Sequence, residues 1–259
     1  MIPGAFGNIE QQILIWLLAM IRPGAAFLAA PIFGAASVPV QLRLILALAV
    51  GIPSATASQM GLPPEGLFTM QGLLCIFAEV LAGLAIGFSI QIGFASALLA
   101  GEVISNTMGL GFASMADPVG GQMSPAIGQF LSMLATFLFL AMDGHLAFVA
   151  MIVESYRLLP PGEAWLSVSA LGSLVEFGGL IFAAGLSIAL PVGFAMLLVQ
   201  IIMAIIARST PTLNLFSVGM PATLLAGVVL LAIATPVMSE SLQKTLAEAL
   251  AQAGSLAAR

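Results

Sequence analysis

Charge is what this sequence has least of. Of 259 residues, six are Lys or Arg and eleven are Asp or Glu, 7% in all, where a soluble domain carries roughly 25% because its surface must be wetted. With 61% hydrophobic residues and a mean hydropathy of +1.16, most of the outer surface has to face lipid or other protein. The net charge of −5 argues against nucleic acid, which wants a basic patch. A single cysteine, Cys75, excludes an internal disulfide and a thiolate metal cluster, and reads as a small core residue. A single histidine cannot supply an HExxH zinc motif, and neither a GxSxG elbow nor a GxxxxGK[ST] phosphate loop is present. Asp117 and Asp143 as a carboxylate dyad carry no recognisable spacing. No enzyme is indicated, and no cofactor is implied.

Alternating strand patterns are missing too, which argues against a membrane β-barrel. So is the basic n-region of a secretory signal: Glu10 stands just before the first apolar run, and residues 13–33 read as a retained helix. The six basic residues, Arg22, Arg43, Arg157, Arg208, Lys244 and Arg259, are too sparse to set an orientation by the positive-inside rule.

What the sequence does have is long apolar helices. Six helical regions emerge, at about 10–33, 40–58, 66–106, 125–157, 166–207 and 221–252, punctuated by PPEG, LPPGE and RSTP. The expectation is an all-α integral membrane protein, one domain over residues 1–259. Two regions are too long for one crossing. Residues 66–106 would extend roughly 60 Å as one helix, about twice the hydrocarbon thickness. Residues 166–207 are similar, with Pro191 as a kink. Either each divides at a tight break or these helices do not cross in the ordinary way.

The third region carries a row of small residues at successive i+4 positions: Ala85, Ser89, Gly93, Ala97, Gly101, Ser105 and Gly109. Gly83 and Gly87 add a GxxxG. Small residues at this spacing let helix backbones approach closely, which is how helices associate in lipid. Chance enrichment in a Gly- and Ala-rich chain is the plainer reading.

Ionisable groups inside apolar helices are costly and face a partner or water. Glu79, Glu102, Asp143, His145, Glu154 and Glu176 are the candidates. Mutual pairing or pairing with a neighbouring subunit is the preferred reading, ahead of a proton relay at Asp143-Gly144-His145. Arg208 suits a helix C-terminus.

Between the third and fourth regions lies GLGFASMADPVGG: Gly109, Leu110, Gly111, Phe112, Ala113, Ser114, Met115, Ala116, Asp117, Pro118, Val119, Gly120 and Gly121. Irregular backbone at membrane depth is tolerated only where it is buried in protein or lines a cavity. Phe and Met make a soft seal, because methionine repacks without strong shape preference. A displaceable plug and a plain interhelical turn are both open on physics alone.

The set Gly101-Glu102…Met108-Gly109-Leu110-Gly111-Phe112-Ala113…Asp117-Pro118, followed by Phe139…Gly144-His145…Ser155-Tyr156…Pro160, resembles the FliR family. Arg22…Pro31…Pro39…Arg43 and Ala207-Arg208…Pro211…Asn214…Phe216…Gly219…Pro221 are similar to it as well. These elements run in order from residue 22 to 221. The family supplies one subunit of the export gate of flagellar and virulence-associated type III secretion systems, the virulence counterpart being SctT. The resemblance implies bent helical hairpins, and one copy assembled with several copies each of FliP-type and FliQ-type membrane subunits. It also implies cooperation with FlhA-type and FlhB-type subunits in the bacterial inner membrane, at a flagellar basal body or injectisome base. Unfolded proteins are then the cargo, and residues 109–121 the plug. Glu102, Asp143, His145, Arg208 and Asn214 become packing or intersubunit contacts. The PTLNLFSVGMP stretch leans towards the flagellar branch. The rival from another class is a proton-coupled small-solute transporter using Glu102, Asp143 and His145; an intramembrane enzyme is a third option.

Overall fold

The computed structural model describes residues 4–63, 66–110, 126–161, 167–209 and 219–257, and every element among them is a helix. In chain order these are α1 (Gly4–Ala19), α2 (Ile21–Ala29), α3 (Val40–Ala57), α4 (Met70–Thr107), α5 (Ala126–Ala141), α6 (Gly144–Leu158), α7 (Val168–Phe177), α8 (Leu180–Ser209) and α9 (Met220–Ala257). Five stretches are long and apolar enough to cross a membrane: Ile9–Ala29, Val40–Ala57, Met70–Thr107, Val168–Ser209 and Met220–Leu256. The α5–α6 pair makes a sixth if its two arms count as one span. The chain is an all-α membrane protein.

The two over-long regions resolve in opposite ways. The α4 helix is unbroken over 38 residues, about 57 Å at the helical rise. The other region divides into α7 and α8 at Gly178-Gly179, where two residues of very low helix propensity stand together. Helix α8 continues through Pro191, so the glycines, and not the proline, mark the division.

The first region is also divided. It breaks at Met20, and α2 restarts at Ile21 with Pro23 in its first turn, where a missing N–H is tolerated. That proline would otherwise have donated to the carbonyl of Ala19, four residues back. The hydroxyl of Tyr156, on α6, donates to that carbonyl at 2.7 Å instead.

The chain's contacts divide it into two compact units. The first comprises Met1–Ile92, Met142–Gly178 and Ala247–Arg259. In it α3 packs against α1, α2 and α6. The first part of α4 lies against α2 so closely that a Cβ on Gly83 would strike the carbonyl oxygen of Arg22, and one on Gly87 that of Ala26. Phe27, Phe33 and Phe148 form an aromatic group with centroids 4.9–6.1 Å apart, and Ala85, Ala170 and Leu256 join α4 to α7 and the tail of α9.

The second unit comprises Gly93–Ala141 and Gly179–Leu246. Here α4 meets α5 backbone to backbone, since a Cβ on Gly101 would collide with Gly128. Phe94 and Phe139 meet edge to face beside this contact at 5.6 Å. Gly185 brings α8 against Leu99 and the carbonyl of Ser96. Helix α8 buries Ala184, Ile188, Val192 and Met196, yet its opposite face exposes Phe182, Leu186, Leu190, Phe194 and Ile201. A helix that is apolar all round is not made to face water.

Candidate functional site

The loop after α4 starts from a well-defined root. The N–H of Gly109 donates to the carbonyl of Asn106 at 3.1 Å, and the N–H of Leu110 donates to that of Ser105 at 3.0 Å. This pair of bonds is a Schellman motif, which needs a left-handed residue at its centre. Gly109 supplies it, with φ +83°. The helix therefore ends because glycine follows Met108, and the chain turns out of the helix there.

A cleft of about 280 Å³ opens at this root, lined by Thr107, Met108 and Gly109 from α4, Gln200, Met203 and Ala204 from α8, and Gly219, Met220 and Thr223 at the start of α9. The amide of Gln200 donates to the carbonyl of Thr107 at 2.5 Å. The thioether of Met108 is buried against Gly227 of α9, where a Cβ would lie 2.8 Å from its sulfur. The return of the chain into α5 is pinned by the Gly101–Gly128 contact. Leu110 is half-buried. The remaining loop positions, from Gly111 to Gly121, lie outside the described residues, as does Asn214.

The small-residue row lies on the inside of α4: Ala85, Ser89, Gly93, Ala97, Gly101 and Ser105 are all buried. Ser89 satisfies its hydroxyl on the carbonyl of Ala85 at 2.9 Å. Ser105 has no partner for its buried oxygen among the described residues.

The ionisable candidates are not brought together. Glu102, Asp143, Glu176 and Arg208 are exposed. Asp143 stands at the break between α5 and α6 with φ 54°, and its carbonyl, not its carboxylate, accepts from Leu146 and Ala147. His145 is half-buried, its Nδ1 without a partner among the described residues. Glu154 meets Arg157 one turn away at 3.5 Å, both exposed.

The charge cluster that does form takes in the remaining candidate, Glu79, with Arg22 as its partner. Arg22 and Glu79 are both wholly buried in the first unit. The guanidinium donates to the two carboxylate oxygens at 2.9 and 2.8 Å. It donates further to the carbonyls of Ser155 and Leu159, each at 2.8 Å, and to the hydroxyl of Ser155 at 3.0 Å. The ring of Tyr156 lies 4.3 Å below it. Arg22 thus stands at the C-terminal end of α6, where the helix dipole favours a cation, with every donor direction answered. Among the described residues, no three His, Cys, Asp or Glu side chains converge as a metal site.

This framework of long apolar helices around a glycine-capped loop root can be set beside known proteins. The chain matches the family described as bacterial export proteins, family 1, over residues 13–249. It belongs to that family. Among relatives, it is 33% identical over 234 residues to the flagellar biosynthetic protein FliR of Escherichia coli strain K12, covering 89% of each chain. It is 32% identical over 224 residues to the protein of that name in Caulobacter vibrioides, covering 86% of this chain and 88% of the relative. With that of Bacillus subtilis it shares 28% over 227 residues, 86% of each chain.

Within this family-1 export protein, three features escape a reading of the sequence. The Arg22–Glu79 pair spans 57 positions, and its one signal is that each charge sits in an apolar helix that an unpaired ion would destabilise. Gln200 is the sole amide side chain in α8. Gly128 is one small residue among many, and nothing local marks it as the counterpart of Gly101.

Proposed function

We propose that the chain is a subunit of a bacterial type III protein export gate of the flagellar kind, and that the segment from Gly109 to Gly121 closes the passage it helps to form. The observation that carries the assignment is the match along nearly the whole chain, residues 13–249, to the export family. A match of that extent takes in the helices, the loop root and the return helix together.

Its partners in this reading are FliP-type and FliQ-type membrane subunits, one copy of this chain among several of each, in the bacterial inner membrane. FlhA-type and FlhB-type subunits act with it in export, and the cargo is unfolded protein. The exposed apolar faces of α8 and of α9 (Leu225, Val229 and Ile233 among others) support this, being wide enough to be covered by neighbouring helices and lipid. The loop's composition supports its sealing role: Phe112 and Met115 are apolar and adaptable, and the glycines allow the segment to yield.

Two measurements test the proposal. Mild detergent extraction should yield a complex containing two further small apolar proteins in unequal copy numbers; recovery of this chain alone refutes the assembly. Deleting residues 110–116 should leave that complex intact and make resting membranes permeable to ions. An assembled deletion variant that stays tight removes the plug.

A further inference from the structure

We infer that Gln200 is a positioning residue for the loop after α4, tying the glycine-capped end of that helix to α8; this rests on the plug reading above. The inference comes from where the last carbonyls of α4 find their donors. A helix leaves its final four carbonyls without intrahelical partners. In α4 the carbonyl of Ile104 still receives the N–H of Met108 at 2.9 Å, and those of Ser105 and Asn106 receive Leu110 and Gly109 through the Schellman motif. The carbonyl of Thr107 is the one left over by the local chain among the described residues. The donor that reaches it is the Gln200 amide, 93 positions away on α8.

Packing alone does not fix this point. Thr107 and Gln200 both line the cleft of about 280 Å³, so their bond stands at the edge of open space and not within a filled core. The other anchor, Met108 against Gly227, is apolar and can slide, since a thioether side chain repacks with little directional preference. The hydrogen bond is directional. It therefore holds the glycine-capped end of α4 in place against α8, and with it the start of the sealing segment. An amide in so apolar a helix is otherwise unfavourable, which gives its presence at this one position a reason.

The test uses the assembled gate in membrane vesicles and reads resting ion permeability beside complex yield. Gln200→Leu keeps an apolar stem one atom shorter and removes the donor. Gln200→Glu keeps volume and polarity, but an ionised carboxylate only accepts. Both should raise the resting leak by roughly two- to tenfold, the occupancy change that follows from one lost hydrogen bond. Gln200→His retains a ring N–H at similar reach and should stay tight, which a general packing defect would not reproduce. If Gln200→Leu lowers complex yield, Gln200→Glu is the deciding variant. A deletion of 110–116 that leaks beside tight Gln200→Leu and Gln200→Glu variants overturns the role of Gln200 alone. A tight deletion overturns the plug and this inference together.

Discussion

Arg22 on α2 and Glu79 on α4 form a two-pronged ion pair from which water is wholly excluded, with the spare guanidinium donors ending on the last turn of α6. Attraction inside a buried pair barely offsets the loss of hydration, whereas removing one partner strands the other. Arg22→Met or Glu79→Leu alone should therefore destabilise the protein by about 3–5 kcal/mol. The double variant should recover most of that loss, but not all, because the Leu159 carbonyl stays unanswered. Thermal unfolding in detergent across the four proteins gives the answer; equal losses in single and double variants contradict the account.

Tyr156 and Pro23 should behave as a coupled pair. Tyr156→Phe removes the donor that reaches the Ala19 carbonyl, at a cost of about 1–3 kcal/mol for a buried acceptor left unmet. Pro23→Ala restores a backbone N–H four residues after Ala19, so the same Tyr156→Phe change should cost clearly less in that background. Additive effects in the double-mutant cycle would contradict this.

Gly101 should tolerate nothing larger. A Cβ there meets the backbone of Gly128, which cannot move aside as a flexible side chain would. Gly101→Ala should destabilise by about 1–3 kcal/mol through overpacking and disturb the return of the chain into α5. Gly172→Ala is the contrast, because open space surrounds that position. There the change should be neutral or stabilising by up to about 1 kcal/mol. Parallel melting curves separate the two.

Asp143 offers a test of the proton-relay idea. Its φ of 54° is the left-handed conformation that glycine adopts freely and branched residues resist. Asp143→Gly should preserve folding and export, while Asp143→Val should lose about 1–2 kcal/mol. Loss of export in a well-folded Asp143→Gly protein would mean the carboxylate, not the backbone, matters.

The fold class was readable from hydropathy because apolar length has only one use at this density. The end of α4 was readable because Gly109 opens the glycine-rich loop, but the division of 166–207 was not: Pro191, the expected kink, lies inside α8, and Gly178-Gly179 divide it from α7 instead. Whether residues 66–106 make one helix or two was not readable, since α4 is apolar on every side and its periodicity is silent about length. Long-range partners were hidden for a different reason. Glu79 stood out as a charge in an apolar helix that needs a partner, but nothing local named Arg22, Ser155 and Tyr156 as the groups that folding brings to it. Of the candidate plug, Gly109 and Leu110 are among the described residues, and their geometry follows from the glycine.

The Arg22 cluster also has a consequence for how the protein is made. The carbonyl of Leu159 lies 137 positions beyond the guanidinium it receives. At about 5–20 residues per second, a ribosome needs roughly 7–30 s to travel that far. Glu79 follows Arg22 by 57 positions and neutralises the cation early in that interval, but the guanidinium donors meant for Ser155 and Leu159 stay unanswered until the interval ends. Final seating of Arg22 must await the emergence of α6, so biogenesis of the first unit finishes from its later segments backwards.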